Sequence, residues 1–427
     1  MVHHGELPIE VGASVELFTG GGGLAMALHE AGFRHLVVNE FAKRACETLR
    51  SNVAVDRKGE DHVPQGMSDP WPLIEGDVRS VEFAYLRDRV DVIAGGPPCQ
   101  PFSLGGAHKG DDDERNMFPE LFRVVRETRP KAIICENVRG LLRASFRPYF
   151  DYILRELALP FEERRPGATW TEHDEYLRAR DALIPQDSPQ RYIVTPMPVN
   201  AADFGVPQVR NRVIIVAFRA DLGINRETWQ RDFMPQPTHS ENALHLSMRD
   251  SSYWRRHRVP ADARKRAMDA LPQRPAKDDG LKPWRTLRDA LYGNPDRPWE
   301  PALPTDLLEK KEHRDPRFVH HQGWPGARVY AGHTPNVLDR PAKTVKAGVH
   351  GVPGGESVML LDDTTHRYMT VRETARVMTF PDWWRLEGPR GEQMRQLGNA
   401  VPVQLGKVFA EAVVQALRSV NALSASD

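Results

Sequence analysis

The stretch "SVELFTGGGGLAMALHEAGFRHLVVNE", residues 14–40, decides the fold. SVELF is a short apolar run that stops at four consecutive glycines. LAMALHEAGF follows with its apolar residues at helical spacing, and HLVVNE is a second strand-like run. Strand, glycine turn, helix and strand in that order are the repeating part of a parallel sheet. Working outward, KRACETLRSNV reads as a second amphipathic helix. DVIAGG and KAIICEN read as further strands separated by the helix-like MFPELFRVVRETRP, and RVIIVAF closes the series. The expected class is therefore α/β: a doubly wound, mostly parallel sheet, with its chemistry in the turns after the carboxyl ends of the strands.

The alternation does not run the whole length. Residues 159–190 are polar and charged with little apolar periodicity, and read as an insertion or extended loop. From about 221 to 352 Pro, Gly, Trp and His are frequent and the alternation is lost. A catalytic domain of 1–219 with 393–427, and a second, irregular domain of 220–392, are the expected division. The formal net charge of the 427 residues is zero. Residues 221–350 nevertheless hold 23 Lys/Arg against 17 Asp/Glu, with eight of the 16 histidines and five of the nine tryptophans. That composition suits a nucleic-acid surface and equally a loop-rich surface domain. No apolar run approaches the roughly 20 residues of a membrane span, and "MVHHGELPIE" lacks the basic and apolar regions of a secretory signal. Three cysteines, Cys46, Cys99 and Cys135, are too few for a disulfide framework and point to a reducing, cytoplasmic setting.

Two constellations carry chemistry. Gly20, Gly22 and Gly23 end the first strand, a turn that lets backbone approach a nucleotide-like ligand, although the spacing is not the full G-x-G-x-x-G. Glu40 ends the next strand, twenty residues after Gly20, where a carboxylate can accept from ribose hydroxyls. Asp77, in EGDV, ends a third strand and suits an adenine amino group. Helix capping or a solvated strand end would explain Glu40 and Asp77 as well. The second constellation is "DVIAGGPPCQPFSLGG", residues 91–106, which places Cys99 directly after a strand as either a buried small hydrophobe or a reactive thiol.

That second stretch resembles the PCQPFS element of the DNA cytosine-5 methyltransferases of bacterial type, and five other motifs, one before it and four after, stand in the family's order. FTGGGG matches its F-x-G-x-G-G, CENV its E-N-V, and QVRNR its Q-x-R-x-R. RETARVMTFPD matches R-E-x-A-R-x-x-x-F-P-D, and GNAV matches G-N-[AS]-V. Thr19 departs from the small residue usual there, and the 159–190 insertion is long. The resemblance implies a methyl transfer to carbon 5 of a flipped-out cytosine in duplex DNA, with S-adenosylmethionine as cofactor and no metal. It implies Cys99 as the nucleophile at carbon 6, with Glu136 on the ring nitrogen 3 and amino group. Arg210 and Arg212, alternating along one strand, are expected to face the same side, one pairing with Glu136 and one contacting the base or its phosphate. Cofactor contacts are implied at Phe18, Gly20, Gly22, Gly23, Glu40, Phe41, Asp77, Val78, Pro98, Phe118, Asn399 and Ala400. DNA contacts are implied at Gln100, Ser103, Arg115, Gln208, Lys343, Thr344 and Val345. The base that removes the carbon-5 proton is left open between water and a side chain. A monomer is expected, with a cognate restriction endonuclease as a possible companion in the same system. A transfer-RNA methyltransferase is disfavoured because the chain lacks Cys-Phe-Thr, and a catalytically silent DNA-binding relative because it retains Cys99, Glu136, Arg210 and Arg212.

Overall fold

In a computed structural model, which describes residues 7–60, 62–98, 116–273, 277–308, 318–324, 326–327, 334–347 and 357–422, the glycine-turn stretch becomes strand, helix and strand. β1 is Gly12–Leu17, α1 Gly23–Glu30 and β2 Phe33–Glu40. The series continues with α2 Lys43–Asn52, β3 Ala54–Asp56, β4 Trp71–Glu75, β5 Val92–Gly95, α3 Phe118–Thr128, β6 Ala132–Val138 and α4 Arg147–Ala158. It ends with α5 Trp170–Asp181, β7 Tyr192–Asn200 and β8 Asn211–Arg219.

One eight-stranded sheet results, in the order β3-β4-β2-β1-β5-β6-β8-β7. The pairs from β3 to β6 are parallel, and β6 with β8 is antiparallel. β1, β5 and β6 are almost wholly buried, as strands covered on both faces must be. Val15, Leu17, Ile93, Ile133 and Ile215 join Leu121, Phe122 and Val125 of α3 in one core.

The 159–190 segment contains a helix. α5 opens with a capping box, Thr169 accepting from the Glu172 amide at 3.2 Å while Glu172 accepts from the Thr169 amide at 2.7 Å. Its buried residues are His173, Asp174 and Leu177. Tyr152 of α4 meets His173 Nδ1 at 3.1 Å, and Arg155 meets Asp174 at 2.8 Å. Trp170, set on the rings of Tyr149 and Tyr152, and Leu177 are its apolar anchors; the rest of its hold on α4 is polar, so little apolar periodicity betrays it.

By contact density the chain forms two compact units, 1–199 with 211–235 and 406–427, and 200–210 with 236–405. The divisions fall at 235/236 and 405/406, later than the 219/220 and 392/393 expected from composition, and 200–210 joins the second unit. The sheet belongs to the first unit. The second is built from short helices and two- and three-residue strands. Its interior is strongly ionic. Arg288, 3 % exposed, donates to Asp339 at 2.6 and 3.0 Å and to Asp362 at 2.6 and 2.8 Å. The Tyr253 hydroxyl donates to Asp339 at 2.8 Å. The stretch Arg390–Ser419 satisfies the length and apolarity of a membrane span, yet 72 % of its most apolar window is buried inside the protein.

Candidate active site

The site begins where three adjacent strands of the first unit end. Phe18, Gly20 and Gly22 all have positive φ, at 57°, 57° and 92°, so the chain turns sharply out of β1 into α1. A Cβ on Gly20 would meet only the Phe18 carbonyl, 4.0 Å away, and one on Gly76 would meet nothing within 4 Å. Open space therefore fronts the ends of β1 and β4. Between them, at the end of β2, stands Phe41, a large apolar ring left 73 % exposed.

Buried hydrogen bonds hold this rim. Glu40 accepts from the Gly20 amide through Oε2 and from the Ala42 amide through Oε1, both at 2.6 Å. Burial raises its pKa, against the lowering pull of the backbone amides. The Asn39 amide donates to the Ile74 and Gly76 carbonyls at 3.0 and 3.1 Å, stitching β2 to the turn after β4. Thr19, the departure from the family pattern, is buried, and its hydroxyl donates to the Asn39 carbonyl at 3.1 Å. Asp77 caps a short 3-10 turn, accepting from the Arg79 amide at 3.0 Å and pairing with its guanidinium at 2.5 Å, which lowers the carboxyl's pKa. Val78 and Phe118 are buried in the core. Asn39, absent from the sequence reading, positions the rim, but an Asn within a strand gives no signal until its acceptors are known.

Next along the sheet, β5 runs into Gly96, Pro97 and Pro98. Cys99, Gln100, Ser103 and Arg115 lie outside the described residues. Beside this turn, Asn137 donates to the Pro97 carbonyl at 3.1 Å, and a Cβ on Gly96 would come 3.4 Å from Glu136 Oε2. Glu136 is directly opposite Ile214 in the antiparallel β6–β8 ladder, so Arg212, two residues on, shares its face. Arg212 Nε lies 2.7 Å from Glu136 Oε1, and both side chains are about nine-tenths buried.

Arg210 does not share that face. β8 begins at Asn211, and Arg210 belongs to the second unit, where it donates to the carbonyls of Val345, Gly398 and Ala400 at 3.0, 2.8 and 2.9 Å. The strict alternation expected of a strand fails because the strand starts one residue later. Around Arg210 several motif residues come together. Gln208, wholly buried, accepts from the Val345 amide at 3.0 Å, and Thr344 donates to the Val209 carbonyl at 2.8 Å. The Lys343 amide donates to Asn336 at 2.8 Å, and its ammonium reaches Thr334. A Cβ on Gly398 would lie 2.5 Å from backbone atoms of Lys346 and Ala347. Asn399 is exposed at the end of the helix Arg390–Asn399. The RETAR arginines are also structural. Arg372 binds the Val319, Pro381 and Trp384 carbonyls, and Arg376 pairs with Asp382 at 2.5 Å.

Among the described residues no group of three His, Cys, Asp or Glu side chains is placed to hold a metal ion. Cys46 and Cys135 are buried, and burial with the neighbouring Glu40 pushes the Cys46 thiol up to about 12.

A mostly parallel sheet with an open rim at its carboxyl ends, beside a buried carboxylate–guanidinium pair, is the layout of a ligand-binding α/β protein. Residues 12–159 and 187–415 match the family model described as C-5 cytosine-specific DNA methylase, and the chain belongs to that family. The unmatched 160–186 fall in the segment that carries α5. The chain is 31 % identical over 411 residues to the Type II methyltransferase M.Eco47II of Escherichia coli, covering 95 % of this chain and 80 % of the relative. It is 30 % identical over 410 residues to M.NgoMIV of Neisseria gonorrhoeae, covering 96 % and 99 %. In fold it is similar to a protein described as a DNA modification methyltransferase encoded within an E. coli prophage, at TM-score 0.52 and 20 % identity, covering 96 % of this chain and 99 % of that one. It is also similar in fold to DNMT2 of Spodoptera frugiperda, at TM-score 0.52 and 16 % identity, covering 94 % and 99 %.

Proposed function

We propose that this enzyme methylates carbon 5 of a cytosine flipped out of a specific duplex DNA sequence, through a Cys99 adduct at carbon 6. The observation that best supports this is the Glu136–Arg212 pair beside Gly96, three residues before Cys99. Stacked in a duplex, carbon 6 is out of reach of a thiol, so the base must leave the helix at a cost of a few kcal/mol. The thiolate, the reactive form of cysteine, adds its electron pair to carbon 6. Electrons of the 5,6 double bond move toward nitrogen 3, where the Glu136 carboxyl takes up the developing charge by hydrogen bonding or proton donation. Arg212 holds that carboxyl in place. Carbon 5, now enamine-like, gains the methyl group and then loses its proton to water or a side chain. The carbon–sulfur bond breaks and the ring is restored.

The first unit's rim fits S-adenosylmethionine. Phe41 offers an exposed ring to an adenine, Glu40 retains acceptor capacity for ribose hydroxyls, and Gly20 and Gly76 leave the space clear. When bound, that cofactor supplies a methyl group already activated on a sulfonium. Asp77 would have to share its carboxylate with Arg79 to reach an adenine amino group. The second unit, with Thr344 and Val345 anchored on Gln208 and Val209, serves as the recognition domain. The Type II names of the relatives support a modification role. In this reading the enzyme acts as a monomer and an endonuclease of the same specificity accompanies it.

Labelled S-adenosylmethionine and unmodified genomic DNA test the reading, with the methylated positions mapped by bisulfite sequencing. Wild type should mark one short sequence. Cys99→Ser should lose transfer while keeping DNA affinity, and wild type alone should form a stable adduct with duplex containing 5-fluorocytosine. Methylation by the serine variant, or label entering transfer RNA but not duplex, would overturn the proposal.

A further inference from the structure

Positive charge in the second unit is concentrated in one place. Residues 249–266 hold seven Lys/Arg against two Asp, in a chain of zero formal net charge. They include the helix Ser252–His257 and most of the helix Ala261–Asp269. Arg256 points inward and pairs with Asp289 at 3.0 Å. The other six, Arg249, Arg255, Arg258, Arg264, Lys265 and Arg266, are all exposed. Among the described residues none of the six has a carboxylate within 4.0 Å. Elsewhere arginines find acids: Arg50 pairs with Asp56 and Glu75, Arg123 with Glu120 and Glu127. The acceptors that the six do meet are neutral. Arg249 donates to the Pro272 carbonyl at 2.6 Å, Arg264 to the Ser251 hydroxyl at 2.9 Å, and Arg266 to the Asp362 carbonyl at 2.6 Å. Only Asp250 beside Arg255, and Asp262 and Asp269 on the second helix, offset this charge without closing an ion pair, so the face stays net positive and repels itself until an anion arrives.

The face is firmly mounted. Tyr253 and His257, on the inner side of the first helix, bind Asp339 at 2.8 Å and Asp289 at 2.9 Å. No large hydrophobic residue is exposed in 249–269, so the patch lacks the apolar anchors on which protein interfaces depend. A polyanion needs no such anchor. Nine helical residues extend about 13 Å, roughly four base pairs of duplex rise.

We infer that this two-helix face lies along the phosphates of the bound duplex and supplies affinity that is blind to sequence. The inference rests on the DNA reading above and assigns a task separate from base reading at Thr344 and Val345. The test is the triple variant Arg255→Gln, Arg258→Gln, Lys265→Gln, which spares Arg264 on the Trp254 ring and Arg266 on Asp362. Binding to duplexes of about 30 base pairs, with and without the methylated site, is measured by anisotropy across about 50 to 200 mM salt. The slope of log affinity against log salt should become shallower by about 2–3 on both duplexes, about 0.9 for each lost phosphate contact. Turnover at saturating DNA, site preference and thermal unfolding should match wild type. A charge-reversed triple, with Glu at the same positions, should bind more weakly still. An unchanged slope overturns the assignment, as does lost site preference or a wild-type dimer that dissociates in the variant while the slope holds. A wild type that binds duplex but methylates none overturns the proposed function alone. An unchanged slope in an enzyme that does methylate DNA overturns only the phosphate face.

Discussion

Under the glycine turn, two buried side chains titrate in opposite senses. Glu16, 1 % exposed, has its pKa raised well above the usual carboxyl value by burial. His35, between Ser14 Oγ at 3.0 Å and the Ala25 carbonyl at 2.9 Å, is lowered to about 3, chiefly by burial and then by His29. A raised carboxyl keeps its proton in the folded state after the unfolded chain has lost it, so its contribution to stability declines as pH climbs above about 4.5. A depressed imidazole stays neutral while the unfolded chain takes up a proton, so stability declines as pH drops from about 6.5 toward 3. Glu16→Gln should therefore gain on wild type in urea unfolding at about pH 8 relative to about pH 5. His35→Gln should gain at about pH 5 relative to about pH 7. A difference that stays flat with pH in either series would contradict the assignment. Residues such as these are hard to read from sequence. Glu16 sits in SVELF like any polar residue on a strand, and only the packing shows that it is sealed in.

Elements were legible where burial was apolar. β1, β2, β5, β6 and β8, with α1, α2 and α3, follow from runs such as VIIVAF and from the 3.6-residue period. β7 was not, because YIVTPMPVN carries two prolines, which a sheet tolerates at the edge this strand occupies. α5 was not, because its inward face is His173, Asp174 and Leu177. The motifs told that the residues mattered but not how. Arg210 and Gln208 turn out to be scaffolding for the 343–347 segment, and Gly398 exists because backbone passes through the space of its absent side chain. Gly398→Ala must push Lys346 and Ala347 aside. Overpacking of this kind costs about 1–3 kcal/mol. The variant should unfold at lower urea and become sensitive to proteolysis near 343–347. Wild-type stability and cleavage would show that the segment yields freely.

At the scale of the whole molecule, the two units rest on different physics. The first has a large apolar core under an eight-stranded sheet, while the second leans on Arg288, Asp339, Asp362 and Tyr253. Removing one partner of a buried ion pair costs about 3–5 kcal/mol, because the other charge stays buried. Asp339→Ala strips Arg288 and Tyr253 of a shared acceptor. Calorimetry should show the second unit melting early as a separate transition, with the first near its wild-type temperature. A single transition lowered as a whole would mean that the two units unfold together. Composition led to the expectation of an irregular second domain and carried no sign of an ionic interior, since paired charges in sequence look like surface.

The chain passes between the units four times, after residues 199, 210, 235 and 405. The short 200–210 excursion delivers Gln208 and Arg210 to the carbonyls and amides of 345–400. Exchange of the second unit is thus not a single cut and paste. A recombination event that imported 236–405 alone would seat foreign backbone on resident Gln208 and Arg210. The exchange keeps those hydrogen bonds only where the incoming segment offers the same carbonyls and amide. The eleven residues of 200–210 therefore belong with 236–405 as one transferable piece, although the chain holds them apart.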